Sequence, residues 1–171
     1  MARRLDYSAR YPLRTVGEVY RTLGDRNYWA ARIEEMRKYS PNQLVEFRAD
    51  ESGIELVIEH VLPRTELPPI AQAIIRKDMV ITRRETYGPL GPEVVGKYEA
   101  SIPAGPGSLT GTMHLFPTDI GCTLRTSSEA KVYLPGGLRF ERMMLVNLVD
   151  LFRAEAEFTA SWLDTHHPVP R

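Results

Sequence analysis

An α+β chain in which a seven-stranded, curved antiparallel sheet wraps a long C-terminal helix is predicted by three features of the 171-residue sequence. From Gln43 to Val132, segments that alternate apolar and polar residues recur between turn signals, the period of half-buried strands. From Leu138 to about Thr165 a helical pattern runs without a proline or glycine. Between a first strand and the rest of the sheet, two short helical segments intervene.

The first strand is Arg4 to Ala9, with Leu5, Tyr7 and Ala9 on one face and Arg4, Asp6 and Ser8 on the other. Pro12 ends it. Thr15 and Glu18 have the spacing of a capping box, and Val16, Val19, Tyr20 and Leu23 give the helix that follows its apolar side. After Gly24-Asp25, the positions Tyr28, Trp29, Arg32, Ile33 and Met36 recur at helical spacing up to Ser40-Pro41. Val45, Phe47 and Ala49 then alternate with Glu46 and Arg48, and Ile54, Leu56 and Ile58 with Glu55 and Glu59. The turn Asp50-Glu51-Ser52-Gly53 joins these two runs as a hairpin.

The stretch Pro63 to Pro69 reads as a loop over the rim of the sheet, and Ile70 to Ile75 as a short helix. Met79 to Tyr87 is a strand, residues 88 to 92 are a turn, and Val94, Gly96, Tyr98, Ala100 and Ile102 share one face of the next strand. Pro103 to Gly107 is another turn. Leu109 to Phe116 and Ile120 to Val132 complete seven strands, and Pro135-Gly136-Gly137 leads into the last helix, roughly 42 Å long at 1.5 Å per residue.

Projected at about 100° per residue, that helix places Arg139, Asp150, Arg153, Glu157 and Asp164 on a wet side. Met144, Leu145, Leu148, Leu151, Phe152, Trp162 and Leu163 form a broad stripe opposite, which only the sheet is large enough to cover. Glu155 interrupts this stripe. A carboxylate there requires a compensating partner on the sheet or in a cavity, unless the helix has already left the sheet. A structural ion pair and a ligand contact are both open readings.

On the third strand His60 shares its face with Ile54, Leu56, Ile58 and Leu62, so it points inward. Tyr98 faces inward with Val94, Ala100 and Ile102, and the last strand offers Cys122, Leu124, Thr126, Ser128 and Ala130. Gly96, Gly111 and the small side chains of this face fill less space than Leu or Phe, which suggests a pocket beneath the helix. Its candidate ligand-binding residues are Leu56, Ile58, His60, Tyr98, Leu124 and Thr126 from the sheet and Leu148, Leu151, Phe152, Glu155 and Trp162 from the helix. Leu148, Leu151, Phe152 and Trp162 form its floor, and Glu155, His60 and Tyr98 are its few polar features. Whether Arg83 faces inward toward Glu155 or outward is left open by the alternation.

Composition narrows the function. Hydrophobic residues make up 43% and charged residues 26% of the chain, which is ordinary for one folded domain spanning 1–171. Lys plus Arg and Asp plus Glu each number 22, so no net field draws the protein to nucleic acid or an anionic membrane. Arg83-Arg84 with Arg76-Lys77 reads as part of a solvated sheet. The basic start lacks the apolar run of a signal peptide, and Met143 to Val149 is far short of the roughly 20 residues of a membrane span. A cytoplasmic protein without stable membrane insertion is expected, and Cys122, the one cysteine, forms no internal disulfide. The sequence specifies no oligomeric state.

No metal and no cofactor are expected. His60, His114 and Cys122 are scattered, and His166-His167 reads as a frayed helix end. The glycine-rich turns lack a Walker or dinucleotide pattern, and no nucleophile elbow is present.

The order of strand, two short helices, six strands and long helix, with the Pro63 to Pro69 rim and the Pro135-Gly136-Gly137 entry, resembles the START-like superfamily, also called helix-grip, SRPBCC or polyketide cyclase-like proteins. The Leu5-Asp6-Tyr7 start and the strand Arg83-Arg84-Glu85-Thr86-Tyr87 look like an uncharacterised actinobacterial branch of it. The resemblance implies a helix-grip fold that holds a hydrophobic small molecule or lipid between sheet and helix. The alternative it implies is a polyketide cyclase or dehydratase with His60, Tyr98 or Glu155 as acid or base.

Overall fold

The structure, a computed structural model, describes residues 3–67, 69–101, 107–133 and 137–170. Seven strands, β1 (Arg3–Pro12), β2 (Asn42–Asp50), β3 (Gly53–Leu62), β4 (Met79–Tyr87), β5 (Val94–Ser101), β6 (Gly107–Thr118) and β7 (Gly121–Val132), form one sheet. Their order is β1-β7-β6-β5-β4-β3-β2, with every neighbouring pair antiparallel. The helices α1 (Val16–Leu23) and α2 (Arg26–Met36) carry the chain from the β1 edge to the β2 edge. A short helix α3 (Pro69–Ile74) lies in the rim segment, and α4 (Gly137–His166) runs 30 residues, about 45 Å, packing against β1 and β7. This is the helix-grip arrangement that the sequence predicts.

Local chemistry sets the boundaries. The Thr15 hydroxyl accepts the Glu18 amide at 3.1 Å while the Glu18 carboxylate accepts the Thr15 amide at 3.2 Å, so two otherwise orphaned donors are satisfied at the start of α1. Asp25 caps α2 by accepting the Asn27 amide at 2.8 Å. In the β2–β3 hairpin Gly53 has φ +137°, and a Cβ there would stand 2.1 Å from the Tyr87 carbonyl oxygen. Glycine is required by both conformation and contact.

Three expectations are corrected. Val45 does not share the inner face of β2, because a bulge between Leu44 and Glu46 removes it from the register and Leu44 stands opposite Ile58 instead. Val45 is consequently exposed, and so is Ala49 at the edge. Pro117 and Thr118 do not end β6; they pair with Cys122 and Gly121, and the turn is displaced to 119–120. At the C-terminal end of α4, expected to be a loose end, the side chains make defined contacts instead. His166 stacks on Trp162 with ring centroids 3.7 Å apart, and Arg14 binds both Asp164, at 2.7 Å, and the His167 carbonyl. Pro68, Ile102, the turn at 103–106, the Pro135-Gly136 entry and the side chain of Arg139 lie outside the described residues.

Among the described residues, no helix is long and apolar enough to cross a membrane, and no group of three His, Cys, Asp or Glu side chains is placed to hold a metal ion.

Candidate functional site

The register fixes what alternation alone left open. Arg83 pairs with Ile58 on β3 and Ala100 on β5, both inward-facing, so its guanidinium enters the interior while Arg84 points to solvent beside Glu55 and Glu46. Overhead, the helical phase of α4 brings Glu155 down onto it. Arg83 donates from Nη1 to Glu155 Oε1 at 2.8 Å and from Nη2 to Oε2 at 3.3 Å, a bidentate pair. Nη2 also meets Glu85 Oε1 at 2.5 Å, and Arg32 from α2 joins Glu155 from the other side. Arg32, Arg83, Glu85 and Glu155 are all buried.

Two arginines and two carboxylates balance, as burial requires, and they tie three elements, α2, β4 and α4, at one point. Hydroxyl groups complete the network. Arg32 donates to the Tyr28 hydroxyl at 3.1 Å, Tyr28 donates to Thr159 Oγ1 at 2.6 Å, and Thr159 donates to the Glu155 carbonyl at 2.8 Å. Tyr87 donates to Glu85 at 3.3 Å. Burial, reinforced by the Glu85 carboxylate, raises the Tyr87 phenol far above its ordinary value, so it stays protonated as a donor.

Against this network lies a cavity of about 50 Å³. Its wall includes the four charged residues, Tyr7, Tyr11, Tyr87, Tyr98, Leu124, Thr126 and Phe152. The expectation of an apolar interior with few polar features is therefore corrected: the strand face between Arg83 and Tyr87 and the α2 face at Arg32 contribute charge that balances Glu155. The small residues also leave less room than expected. A Cβ on Gly111 would stand 2.1 Å from the Tyr98 ring, whose hydroxyl reaches Ser128 at 2.5 Å. The space left by the glycine is filled by an aromatic ring from the neighbouring strand.

Beyond the network the interior changes. At the end of the sheet closed by α1 and α2, the inward residues Leu56, Leu115, Val19, Tyr28 and Trp29 are completely buried, each 0% exposed. At the opposite end of β3 to β6, the inward residues His60, Leu62, Ile81, Ala100 and Leu109 are only half-buried. His60 stands at the boundary. Burial lowers its pKa to about 4, helped by the positive charges of Arg83 and Arg32, so the ring is neutral near pH 7.

Of the residues singled out from sequence, Tyr98, Leu124, Thr126, Phe152 and Glu155 stand in the cavity wall. Leu56, Ile58 and Leu148 belong to the packed core, and Leu151 is half-buried against it. Trp162 lies beside Tyr28 and Phe158, at 5.7 and 6.3 Å, away from the cavity floor. The sequence reading did not assign Arg32, Glu85, Tyr11 or Thr159 to the site. Arg32 carried a usable signal, since it interrupts the apolar face of α2 just as Glu155 interrupts that of α4.

Comparison with known proteins adds kinship. A family model described as "Protein of unknown function (DUF2505)" matches residues 6–163. Uncharacterized proteins Rv0481c of Mycobacterium tuberculosis and Mb0491c of Mycobacterium bovis are each 28% identical over 176 residues, covering 95% of this chain and 98% of theirs. Among solved structures, TTHA0849 from Thermus thermophilus is similar with TM-score 0.59 at 15% identity, covering 94% of this chain and 98% of that one. Ms6760 from Mycobacterium smegmatis gives TM-score 0.59 at 9% identity, with 96% and 92% covered, and Ara h 8.0201 gives 0.56 at 10%, with 94% and 99% covered. At these identities the structures share the fold.

Proposed function

The chain belongs to the DUF2505 family, and for it we propose the binding of a small amphipathic molecule between the sheet and α4, in the manner of START-like proteins. The observation that carries this reading is the half-buried apolar face formed by Leu62, Ile81, Ala100 and Leu109 at one end of the interior. Inward apolar side chains that remain partly wet gain about 25 cal/mol for each Å² that a ligand covers. The cavity beside the charged network holds about 50 Å³, against roughly 300 to 1,000 Å³ for the pocket of a drug-sized ligand. The body of the ligand therefore lies over the half-buried end, with its polar group toward Arg83.

The catalytic alternative has less support. Glu155 is held by two guanidinium groups, and burial raises the Tyr98 phenol, opposed by its hydrogen bond to Ser128, which leaves His60 as the available acid or base. Native mass spectrometry of protein purified without detergent tests binding. The reading expects a co-purifying small molecule, or uptake of the neutral fluorophore N-phenyl-1-naphthylamine by the emptied protein. Neither adduct nor uptake would remove it.

A further inference from the structure

Among the buried side-chain nitrogens that have no hydrogen-bond partner among the described residues, two lie on the adjacent strands β3 and β4: Nε of Arg83 and Nε2 of His60. A buried donor left without a partner is costly, so two on one face ask for an explanation. The register places them together. Arg83 pairs with Ile58, and His60 follows Ile58 by two residues on the same inward face, making them diagonal neighbours on adjacent strands. Glu85, which pairs with Leu56, lies to the other side of Arg83 along the strands. The terminal nitrogens of Arg83 are thus committed to Glu85 and Glu155, and its Nε–H remains unclaimed, with His60 diagonal to it on the adjacent strand. Arg83 is itself 8% exposed, so water reaches this atom poorly.

We propose that Arg83 Nε and His60 Nε2 together receive a neutral oxygen group, a carbonyl or a hydroxyl, on an otherwise apolar ligand. This rests on the ligand-binding reading above and names the polar end of that ligand. The charge balance selects neutrality. Arg32 and Arg83 are already matched by Glu85 and Glu155, so an added carboxylate would be a buried charge without a counterion, which burial strongly disfavours. A carboxylate is also best held by two parallel N–H groups, and the paired nitrogens of Arg83 are taken by Glu155. A carbonyl accepts from both nitrogens when His60 carries its proton on Nε2. A hydroxyl accepts from Arg83 and donates to His60 when the proton is on Nδ1. The apolar remainder then meets Leu62 and Ile81, the half-buried neighbours of His60 on β3 and β4.

Displacement of N-phenyl-1-naphthylamine by four matched eight-carbon probes, octane, 2-octanone, 1-octanol and octanoate, tests the inference at pH 7. The expected result is that 2-octanone or 1-octanol competes roughly tenfold better than octane and better than octanoate, the gain of a hydrogen bond made to buried donors. His60→Leu should reduce that preference several-fold, and His60→Gln, which keeps a donor, should restore part of it. Circular dichroism and the fluorophore signal itself report whether each variant is folded and competent. If octanoate competes best, or all four probes compete alike, the inference about the polar group fails while binding stands. If the fluorophore is not taken up at all, the binding reading fails first.

Discussion

The two ends of the interior share a sheet and differ in what covers them. At one end α1 and α2 close the sheet, and Leu56, Leu115, Val19, Tyr28 and Trp29 are fully buried; Trp29 also donates from its indole to the Leu23 carbonyl at 2.7 Å. At the other end, His60, Leu62, Ile81, Ala100 and Leu109 face inward yet remain half-buried. Between them stands the network of Arg32, Arg83, Glu85 and Glu155. The closed end holds the fold together, the network fixes α4 on the sheet, and the open end retains apolar surface that a partner molecule can still cover. If the proposed binding holds, stability and binding fall to different residues of the same strands.

Substitutions separate the two ends, beginning with the largest effect. Glu155→Gln leaves two buried guanidinium groups with Glu85 as their one carboxylate partner and should cost about 3 to 5 kcal/mol in chemical denaturation, enough to threaten folding. Leu56→Ala at the closed end should cost about 2 to 5 kcal/mol, through lost burial and a cavity that rigid neighbours cannot collapse. Gly111→Ala forces a Cβ into the Tyr98 ring and should cost about 1 to 3 kcal/mol. Combining it with Tyr98→Leu should recover part of that loss, and a strictly additive double variant would contradict the packing described.

Acid provides a smaller test of the boundary. His60 titrates at about 4 in the folded protein and at the ordinary 6.5 when unfolded, so the unfolded chain binds the extra proton first. Stability contributed by the neutral ring is full above about pH 6.5 and is lost as the pH falls toward 4, by up to roughly 3 kcal/mol. Comparing denaturation midpoints at pH 7 and pH 4.5, His60→Leu should show a shallower fall than the parent protein. An equal fall in both would place the titration elsewhere. The smallest effect belongs to the open end, where Leu62→Ala should cost about 1 kcal/mol or less, because the residue gives up only part of its surface on folding.

Much of this architecture was legible in the sequence because it depends on period and punctuation. The capping box at Thr15 and Glu18, the turn before Gly53 and the unbroken run of α4 are local signals, and the structure follows each of them. The bulge at Val45 was not legible, since an extra residue in one strand is defined only against its partner. The site was legible in half. Glu155 betrayed itself by interrupting an apolar stripe, but its partners come from α2 and β4, far away in sequence, and alternation could not say which of Arg83 and Arg84 faces inward. The small residues Gly111 and Ser128 misled because an empty position on one strand was filled by Tyr98 from the next.

The central claim is that ligand binding belongs to the open end and not to the closed one. Methyl chemical shifts recorded while N-phenyl-1-naphthylamine is titrated into the protein test it directly. The predicted result is movement confined to the methyls of Leu62, Ile81 and Leu109, with those of Ile54, Leu56 and Leu115 unmoved. Shifts concentrated at the closed end, or spread evenly over both, would contradict it.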